Sequence, residues 1–310
     1  MLSRSSIFPG VAGPVVTVVM DGIGQRVAAA GNAVADAHTP TLDRLLARYP
    51  HTLLKAHGTA VGMPSDDDMG NSEVGHNALG SGQVYAQGAA LVNDAIAGGS
   101  LFAGAAWGEI VANVLACGGT LHFLGLFSDG NVHSHIDHLK ALVTAARGAG
   151  VARVRVHALL DGRDVPATSA LDYVLPFEQF LAGLRSEAFD ARIASGGGRM
   201  HVTMDRYEAD WDMVARGWAT HVHGEGRRFA SAADAIAQLR SEQPGIGDQD
   251  LPAFVIAADG APLGPVVDGD SVVFYNFRGD RAIEITRAFV EADFDRFDRV
   301  RVPQVTYAGM

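Results

Sequence analysis

The sequence predicts an α/β protein with a mainly parallel sheet, built as two unequal pieces. Short apolar runs alternate with helical segments from Leu121 onward. Strands joined by helical connections of this length form right-handed crossovers, which make neighbouring strands parallel. The chain has 310 residues, more than one compact core usually organises. Glycine-rich stretches at 80–82 and 97–100 interrupt the pattern, so we place a domain boundary near residue 88, giving pieces 1–87 and 88–310.

The first piece contains one predicted strand and one predicted helix. Residues 15–20 are an apolar, β-branched run that ends at Asp21, which predicts a buried parallel strand with a carboxylate at its end. Thr39 and Pro40 then provide a helix N-cap and an N1 proline, and the helix is predicted to reach residue 48.

The second piece repeats strand and helix in regular order. Strands are predicted at 121–127, 151–160, 192–194, 254–257 and 272–277. Helices are predicted at 136–147, 169–184, 209–216, 230–240 and 280–291. Side chains that directly follow these strands should meet at one edge of the sheet, where open α/β sheets place their sites.

Composition narrows the classes of partner. The formal net charge is -11, which argues against binding to nucleic acid or to an anionic membrane, because both require clustered positive charge. The chain has no run of about 20 apolar residues of the kind that crosses a membrane.

The single cysteine, Cys117, excludes an internal disulfide and indicates a reducing compartment, the cytoplasm. It lies in the apolar run 110–117, so we expect a buried thiol.

Asn71-Ser72-Glu73 reads as the start of a helix after a loop that contains glycine. A hydroxyl at this position lies among unpaired backbone N–H groups, which favour its ionised form and an attached phosphate. A serine needs further activation, and a metal ion held by Asp21 would supply it. The alternative is that Ser72 only caps a helix and Asp21 only opens a turn.

Three histidines follow the strand 121–127 within six residues. Together with neighbouring aspartates they could form a metal cluster. Alternatively, His133 contacts a substrate, while His135 and His138 cap and solvate the start of the next helix. We favour the second interpretation, because recognition of a phosphate or hydroxyl needs one positioned imidazole.

Arginines follow the strand ends in three segments: Arg163 in Asp161-Gly162-Arg163-Asp164, the pair Arg199 and Arg206, and the pair Arg278 and Arg281. A guanidinium offers a planar fork for carboxylate or phosphate, and the carboxylate of Asp164 can accept a proton from a substrate hydroxyl. Converging segments would form an anion-binding basin on an acidic protein. The alternatives are a surface ion pair in a turn and arginines scattered over helix starts.

Taken in order, segments 20–22, 69–76, 128–135, 161–164, 204–206 and 276–281 resemble the cofactor-independent phosphoglycerate mutases. The resemblance covers nearly the whole chain from Val15 onward. Segments 64–68 and 196–200 are most similar to the plant and trypanosomatid branch of that family.

This resemblance implies an alkaline-phosphatase-like domain that holds two divalent metal ions, usually manganese, and into which a second α/β domain is inserted. It implies interconversion of 3-phosphoglycerate and 2-phosphoglycerate in glycolysis and gluconeogenesis, through a phosphoserine and without 2,3-bisphosphoglycerate. The protein would be an isomerase acting as a monomer on a small molecule. Ser72 would be the nucleophile, Asp21 and Ser72 metal ligands, and Asp164 the acid or base. Substrate would be held by His133, Arg163, Asp164, Arg199, Arg206, Arg278 and Arg281.

One departure from the family pattern limits these expectations. The remaining metal ligands and a lysine of such enzymes follow the inserted domain, and this chain stops at Met310. We therefore expect a fragment or truncated product that does not bind two metal ions or turn over alone, with the apolar faces of 15–20 and 42–46 uncovered. Two alternatives stay open: a non-catalytic module that binds phosphoglycerate, and another phosphomutase or phosphatase on the same scaffold.

Overall fold

A computed structural model describes residues 5–20, 23–27 and 30–310. The chain divides into two compact units, Met1–Lys55 and Ala56–Met310. This division follows the density of contacts within each unit, and the domain boundary near residue 88 stays a prediction.

The first unit contains two helices, α1 (Ala33–Asp36) and α2 (Pro40–Arg48). Helix α2 confirms the prediction from Thr39 and Pro40, which occupy the N-cap and the first helical position. The predicted strand at 15–20 is wrong for the residues that the structure describes, which are irregular there. Backbone N–H and C=O groups of a strand need a paired neighbour, and the described part of this unit contains no strand.

Apolar side chains of this first unit are exposed, as the sequence predicts. Val16 is 78% exposed and Val18 is 76% exposed, while Leu45 and Leu46 on α2 are each about half exposed. Asp21, which the sequence predicts to be a metal ligand, lies outside the described residues.

The second unit contains helices and strands in close alternation. Its helices are α3 (Ser72–Ser81), α4 (Gly88–Ala97), α5 (Ser100–Ala103), α6 (Ala105–Cys117), α7 (Ile136–Gly148), α8 (Ala170–Leu184), α9 (Trp211–Trp218), α10 (Ala232–Glu242) and α11 (Ile283–Val290). Its strands are β1 (Leu121–Phe127), β2 (Arg153–Leu160), β3 (Asp190–Gly198), β4 (Arg227–Phe229), β5 (Phe254–Ala258), β6 (Ala261–Pro262), β7 (Ser271–Phe274) and β8 (Thr306–Gly309).

The strands form one sheet in the order β4-β5-β3-β2-β1-β7-β8, with β6 paired to β5. Neighbours are parallel except at β3–β5 and β5–β6, so the predicted α/β fold with a mainly parallel sheet is confirmed. Because β1, β2, β3 and β7 run in one direction, their carboxyl ends lie at one edge. The segments that leave this edge begin at Ser128, Asp161, Arg199 and Tyr275.

Both faces of the sheet are covered by apolar cores. In β1, Phe123 and Phe127 point to the larger core, and Leu124 and Leu126 point to the opposite one. This alternation follows from the period of two along a strand, and it explains why apolar residues occupy positions of both faces, with His122 as the polar exception.

Two further observations concern the surface. Cys117 is exposed at the end of α6, so the expected burial of its thiol is wrong. An apolar run on a helix covers more than one face, and Cys117 is the last residue of α6, where its side chain is exposed and lies 3.8 Å from Asn113 Oδ1. Within the described ranges, no helix combines the length and the hydropathy that a membrane span requires.

Candidate active site

Asp161 organises the edge of the sheet where β2 ends. It is 2% exposed. Its Oδ1 accepts hydrogen bonds from the backbone N–H groups of Arg163 and Asp164, both at 3.1 Å, and Oδ2 accepts one from Ser128 Oγ at 2.6 Å. These bonds form an Asx turn, which aspartate favours directly after a strand. The turn fixes the backbone of the predicted substrate residues and joins it to the loop after β1.

Arg199, the first residue after β3, lies buried against this turn, 1% exposed. Its Nη1 donates to Asp161 Oδ1 at 2.9 Å and to Asp164 Oδ2 at 2.5 Å. A buried guanidinium requires such partners, because an unpaired charge is costly to bury. The Asp164 carboxylate therefore pairs with Arg199, not with its sequence neighbour Arg163, and the interpretation of 161–164 as an isolated turn ion pair is wrong.

Asp280 connects three of the predicted substrate residues. Its Oδ1 lies 3.3 Å from His133 Nδ1, and its Oδ2 lies 3.1 Å from Arg278 Nη2 and 3.4 Å from Arg206 Nη1. Burial alone would raise the pKa of Asp280, but His133 and these arginines lower it to about 2. Burial lowers the pKa of His133, and Asp280 partly opposes this effect. The carboxylate is thus ionised and surrounded by cationic or donor groups.

Arg281 lies among other arginines. Its Nη1 donates to the backbone carbonyl of Met204 at 2.7 Å. Burial lowers the pKa of Arg281, and the positive charges of Arg199, Arg206 and Arg163 lower it further. The contact of Arg281 with Met204 joins the segment of Arg278 to that of Arg206, and Arg199 bonds the turn that carries Arg163, so the three predicted arginine segments come together at one edge of the sheet.

Arg163 differs from the other arginines of this group because its side chain is exposed. Among the described residues, its guanidinium has no hydrogen-bond or ion-pair partner. A free guanidinium next to partnered ones is available for an incoming anion.

Helix α3 begins at Ser72, which confirms the predicted helix start. The side chain of Asn71 accepts hydrogen bonds from the backbone N–H groups of Glu73 and Val74, at 3.0 and 3.2 Å. Ser72 is exposed at the first helical position, so Asn71 is the cap and the interpretation of Ser72 as a cap is wrong. Glu73 Oε2 lies 3.5 Å from Arg278 Nε, which links the first turn of α3 to the arginines.

The three histidines after β1 take separate places. His133 contacts Asp280, and His135 caps α7 by accepting from the N–H of Asp137 at 3.1 Å. His138 is 3% exposed and bonds Asn93 through Nε2 at 2.6 Å, so the expectation that it solvates the helix start is wrong. Burial, together with the charge of His135, lowers the pKa of His138 to about 4.

The described residues do not form a site for two metal ions. No three His, Cys, Asp or Glu side chains meet there in a geometry that would hold a metal ion. Of the two metal ligands that the sequence predicts, Ser72 offers a single exposed oxygen, and Asp21 is outside the described residues. Divalent ions of this kind require several oxygen or nitrogen ligands at once, and the described part of the chain brings too few of them together.

The sequence did not single out three residues that organise this edge. Asp161 accepts hydrogen bonds from three of the selected residues, and Asp280 lies within ion-pair distance of three others. Asn131, with a left-handed φ of 56°, donates to Asp68 Oδ1 at 2.6 Å and connects the loop before α3 to the loop after β1. A carboxylate directly after a strand that ends in three apolar residues, 158–160, was the available signal for Asp161.

A mainly parallel sheet with arginines and carboxylates at its carboxyl edge defines an α/β protein with a polar site at the strand ends. The chain belongs to the family described as BPG-independent PGAM N-terminus, whose sequence profile matches residues 92–310. The resemblance seen in the sequence is therefore confirmed.

Similar proteins carry consistent names. The chain is 59% identical, over 96% of its length, to a probable 2,3-bisphosphoglycerate-independent phosphoglycerate mutase of Leptospira interrogans. It is 52% identical, over 95% of its length, to the 2,3-bisphosphoglycerate-independent phosphoglycerate mutase of Trypanosoma brucei brucei. In both cases it covers 54% of the relative.

A solved structure matches the fold as well. A crystal structure of Leishmania mexicana phosphoglycerate mutase at low cobalt concentration matches with a TM-score of 0.87 and 51% identity, covering 90% of this chain and 51% of that one. The chain thus spans about half the length of the relatives it matches.

Proposed function

We propose that this chain takes part in the interconversion of 3-phosphoglycerate and 2-phosphoglycerate, without 2,3-bisphosphoglycerate, as part of glycolysis and gluconeogenesis. The names of its relatives support this reaction. The observation that carries the proposal is the path of ion pairs from Glu73 through Arg278 to Asp280, which joins the helix of Ser72 to His133 and Arg206.

The proposed chemistry is a phosphoryl transfer to Ser72 and back. The proton of Ser72 passes through water to Asp164 as Ser72 Oγ bonds to phosphorus, the bond from phosphorus to one glycerate oxygen breaks, and Asp164 gives that oxygen the proton. The other glycerate hydroxyl then gives its proton to Asp164 and attacks the phosphoserine, and this proton returns through water to Ser72 Oγ as its bond to phosphorus breaks. Such transfers depend on positioning and on neutralising charge on the phosphoryl oxygens. We assign substrate binding to His133, Arg163, Asp164, Arg199, Arg206, Arg278 and Arg281.

We further propose that the complete activity requires two divalent metal ions, with manganese as the expected metal and Asp21 and Ser72 among the ligands. The support is chemical, because an alcohol is a poor nucleophile without activation. The described residues lack a complete ligand set, so the ions would need other ligands in addition. Loss of activity on chelation and its recovery on adding manganese would test this requirement.

A second candidate function follows from where the predicted substrate-binding residues and the predicted metal ligands lie in the chain. The arginines and Asp280 all belong to the unit Ala56–Met310, whereas the predicted metal ligands do not assemble among the described residues. The 310-residue chain by itself would then be a phosphoglycerate-binding module without turnover.

One titration separates these candidates and tests the site. 3-Phosphoglycerate is titrated calorimetrically into the 310-residue chain with manganese, and turnover is assayed in parallel. Arg206→Ala should weaken binding about tenfold or more, since a hydrogen bond to a charged group contributes about 1.5–3 kcal/mol. The matched control is Arg147→Ala, which removes an exposed arginine in the last turn of α7, the end that leads into the amino end of β2 and not the carboxyl edge of the sheet.

Each result decides between the candidates. Binding with turnover supports the mutase, and binding without turnover supports the module. Equal affinities of the two arginine variants would contradict the assigned site. In a preparation that turns over, Ser72→Ala should abolish the phosphoenzyme, and label retained on that variant would exclude Ser72 as the acceptor. Release of inorganic phosphate without isomerisation would favour a phosphatase on the same scaffold.

We also propose that the protein acts as a monomer in the cytoplasm, with no nucleic acid or membrane partner. The net charge of -11 supports the absence of anionic partners. Light scattering on a size-exclusion column would test the monomer, since a mass of twice 32.5 kDa would contradict it.

A further inference from the structure

Six buried polar side chains form a single hydrogen-bonded row across one face of the sheet. Three of them lie on adjacent strands, with His122 on β1, His157 on β2 and Ser195 on β3. All six are at most 1% exposed. In spatial order the row consists of Asp270, His122, His157, Ser195, His221 and Thr203.

Five short contacts connect the row. His122 Nε2 lies 3.1 Å from Asp270 Oδ2, and His122 Nδ1 lies 2.9 Å from His157 Nε2. Ser195 Oγ lies 2.7 Å from His157 Nδ1 and 2.7 Å from His221 Nδ1. The row ends where His221 Nε2 lies 3.1 Å from Thr203 Oγ1.

The protons in this row can be assigned by counting. Burial lowers the pKa of His122, His157 and His221, so each imidazole is neutral and carries one N–H. Ionised Asp270 can only accept, so His122 donates to it from Nε2. His122 Nδ1 must then accept from His157 Nε2, and each later bond is fixed in the same way.

The assignment reaches the far end of the row without a conflict. Ser195 donates to His157 Nδ1 and accepts from His221 Nδ1, and His221 Nε2 accepts from the hydroxyl of Thr203. This is the only proton arrangement that satisfies all five bonds. It fixes His122 and His157 as Nε2–H tautomers and His221 as the Nδ1–H tautomer.

Thr203, at the end of the row, holds an unfavourable backbone conformation. Its φ is 70°, in the left-handed region that β-branched residues avoid. Its N–H donates to the carbonyl of Met213 at 3.0 Å. The next residue, Met204, accepts from Arg281 through its carbonyl, and Arg206 follows two residues later. The conformation of Thr203 therefore sets where two of the predicted anion-binding arginines are held.

We propose that the row from Asp270 to Thr203 positions segment 204–206 for anion binding, with His221 and Thr203 as positioning residues. The hydroxyl proton committed to His221 keeps Thr203 in the left-handed conformation, and through Met204 it holds the guanidinium of Arg281. The inference rests on the proposed role of Arg206 and Arg281 in phosphoglycerate binding.

Nitrogen-15 NMR of the histidine side chains in the 310-residue chain tests the proton assignment directly. At pH 7 the wild type should show three neutral imidazoles, with the Nδ1–H tautomer at His221 and the Nε2–H tautomer at the other two. Thr203→Val keeps the shape but removes the donor to His221 Nε2, so His221 should stay the Nδ1–H tautomer, held by Ser195, while its unprotonated Nε2 loses its hydrogen bond and its nitrogen-15 signal moves downfield. Thr203→Ser keeps the hydroxyl and should restore the wild-type pattern. A charged His221, or its Nε2–H tautomer in the wild type, would overturn the inference.

The positioning role is tested by the exchange of the Arg281 guanidinium protons with water, which needs no substrate, and by binding of 3-phosphoglycerate. The Arg281 guanidinium protons should exchange with water about threefold faster or more in Thr203→Val than in the wild type, and 3-phosphoglycerate should bind more weakly by a similar factor. Thr203→Ser should recover both values. Unchanged exchange and unchanged binding in Thr203→Val would contradict the positioning role.

The two proposals fail in different ways. If the wild type does not bind 3-phosphoglycerate, the proposed function fails, and the exchange of the Arg281 protons still decides the positioning role. If Thr203→Val does not fold, Ser195→Ala replaces it, because Ser195 makes the hydrogen bonds that join His157 to His221 in this row. Ser195→Ala should leave the tautomer of His157 fixed through His122 and Asp270, free the tautomer of His221 and accelerate the same exchange, and an unchanged rate would refute the inference.

Discussion

Gly217 in α9 offers a test in which two effects have opposite signs. Replacing a helical glycine by alanine usually stabilises a protein by about 0.5–1 kcal/mol, because the unfolded chain loses more freedom with glycine. At Gly217 an added Cβ would overlap the hydroxyl of Thr203 and lie 3.0 Å from its backbone nitrogen and 3.1 Å from its Cα. Overpacking of this kind costs about 1–3 kcal/mol. Gly217→Ala should therefore lower the free energy of unfolding by about 1–2 kcal/mol.

The matched control is Gly108 in α6. It is exposed, and no atom lies within 4 Å of the position that its Cβ would occupy. Gly108→Ala should raise the free energy of unfolding by about 0.5–1 kcal/mol, so the two variants should differ by about 2 kcal/mol. Urea unfolding followed by far-ultraviolet circular dichroism measures both. If Gly217→Ala proves as stable as Gly108→Ala, the tight contact between α9 and Thr203 is incorrect.

Three further expectations concern single side chains. Asp280→Asn should lower the free energy of unfolding by about 2 kcal/mol at pH 7, because a pKa lowered from 3.8 to about 2 corresponds to that stabilisation. The difference from wild type should shrink as the pH falls from 4 towards 2. An equal difference at pH 3 and pH 7 in urea unfolding would contradict this expectation. Asn71→Ala should cost about 1 kcal/mol of unfolding free energy through loss of the α3 cap, whereas Asn71→Asp should keep the cap. Cys117 should react with a thiol reagent in the folded chain nearly as fast as in urea, and strong protection would show that it is buried.

The sequence predicted the central strands well because both of their faces are buried. Residues 121–127 form β1 with the predicted bounds, since every position of this strand is buried and none faces solvent. Strand β3 extends four residues beyond its predicted end, from Ser195 to Gly198, because small residues there replace the apolar pattern from which strands were predicted. The short strands β4 and β8 were not predicted, because three or four residues give too little periodicity.

The run 15–20 shows the limit of this reasoning. Its composition is that of a buried strand, but the strand requires a neighbour to pair with, and composition carries no information on the neighbour. The same limit applies to the candidate site. Proximity to strand ends predicted that Arg199, Arg206 and Arg281 converge, whereas the position of Asp280 between them depends on how the loop after β7 folds back.

The buried row also has an electrostatic consequence. Because all five protons point the same way, the bond dipoles add, with the positive end at Asp270 and the negative end at Thr203. Burial would raise the pKa of Asp270, but the bond from His122, together with the N–H groups of Val267 and Thr120, lowers it. The negative charge of Asp270 is thus compensated by the positive end of this dipole, and the negative end at Thr203 lies next to the segment that contacts Arg281. Reversing the hydroxyl of Ser195 would divide the row into two halves with opposed dipoles.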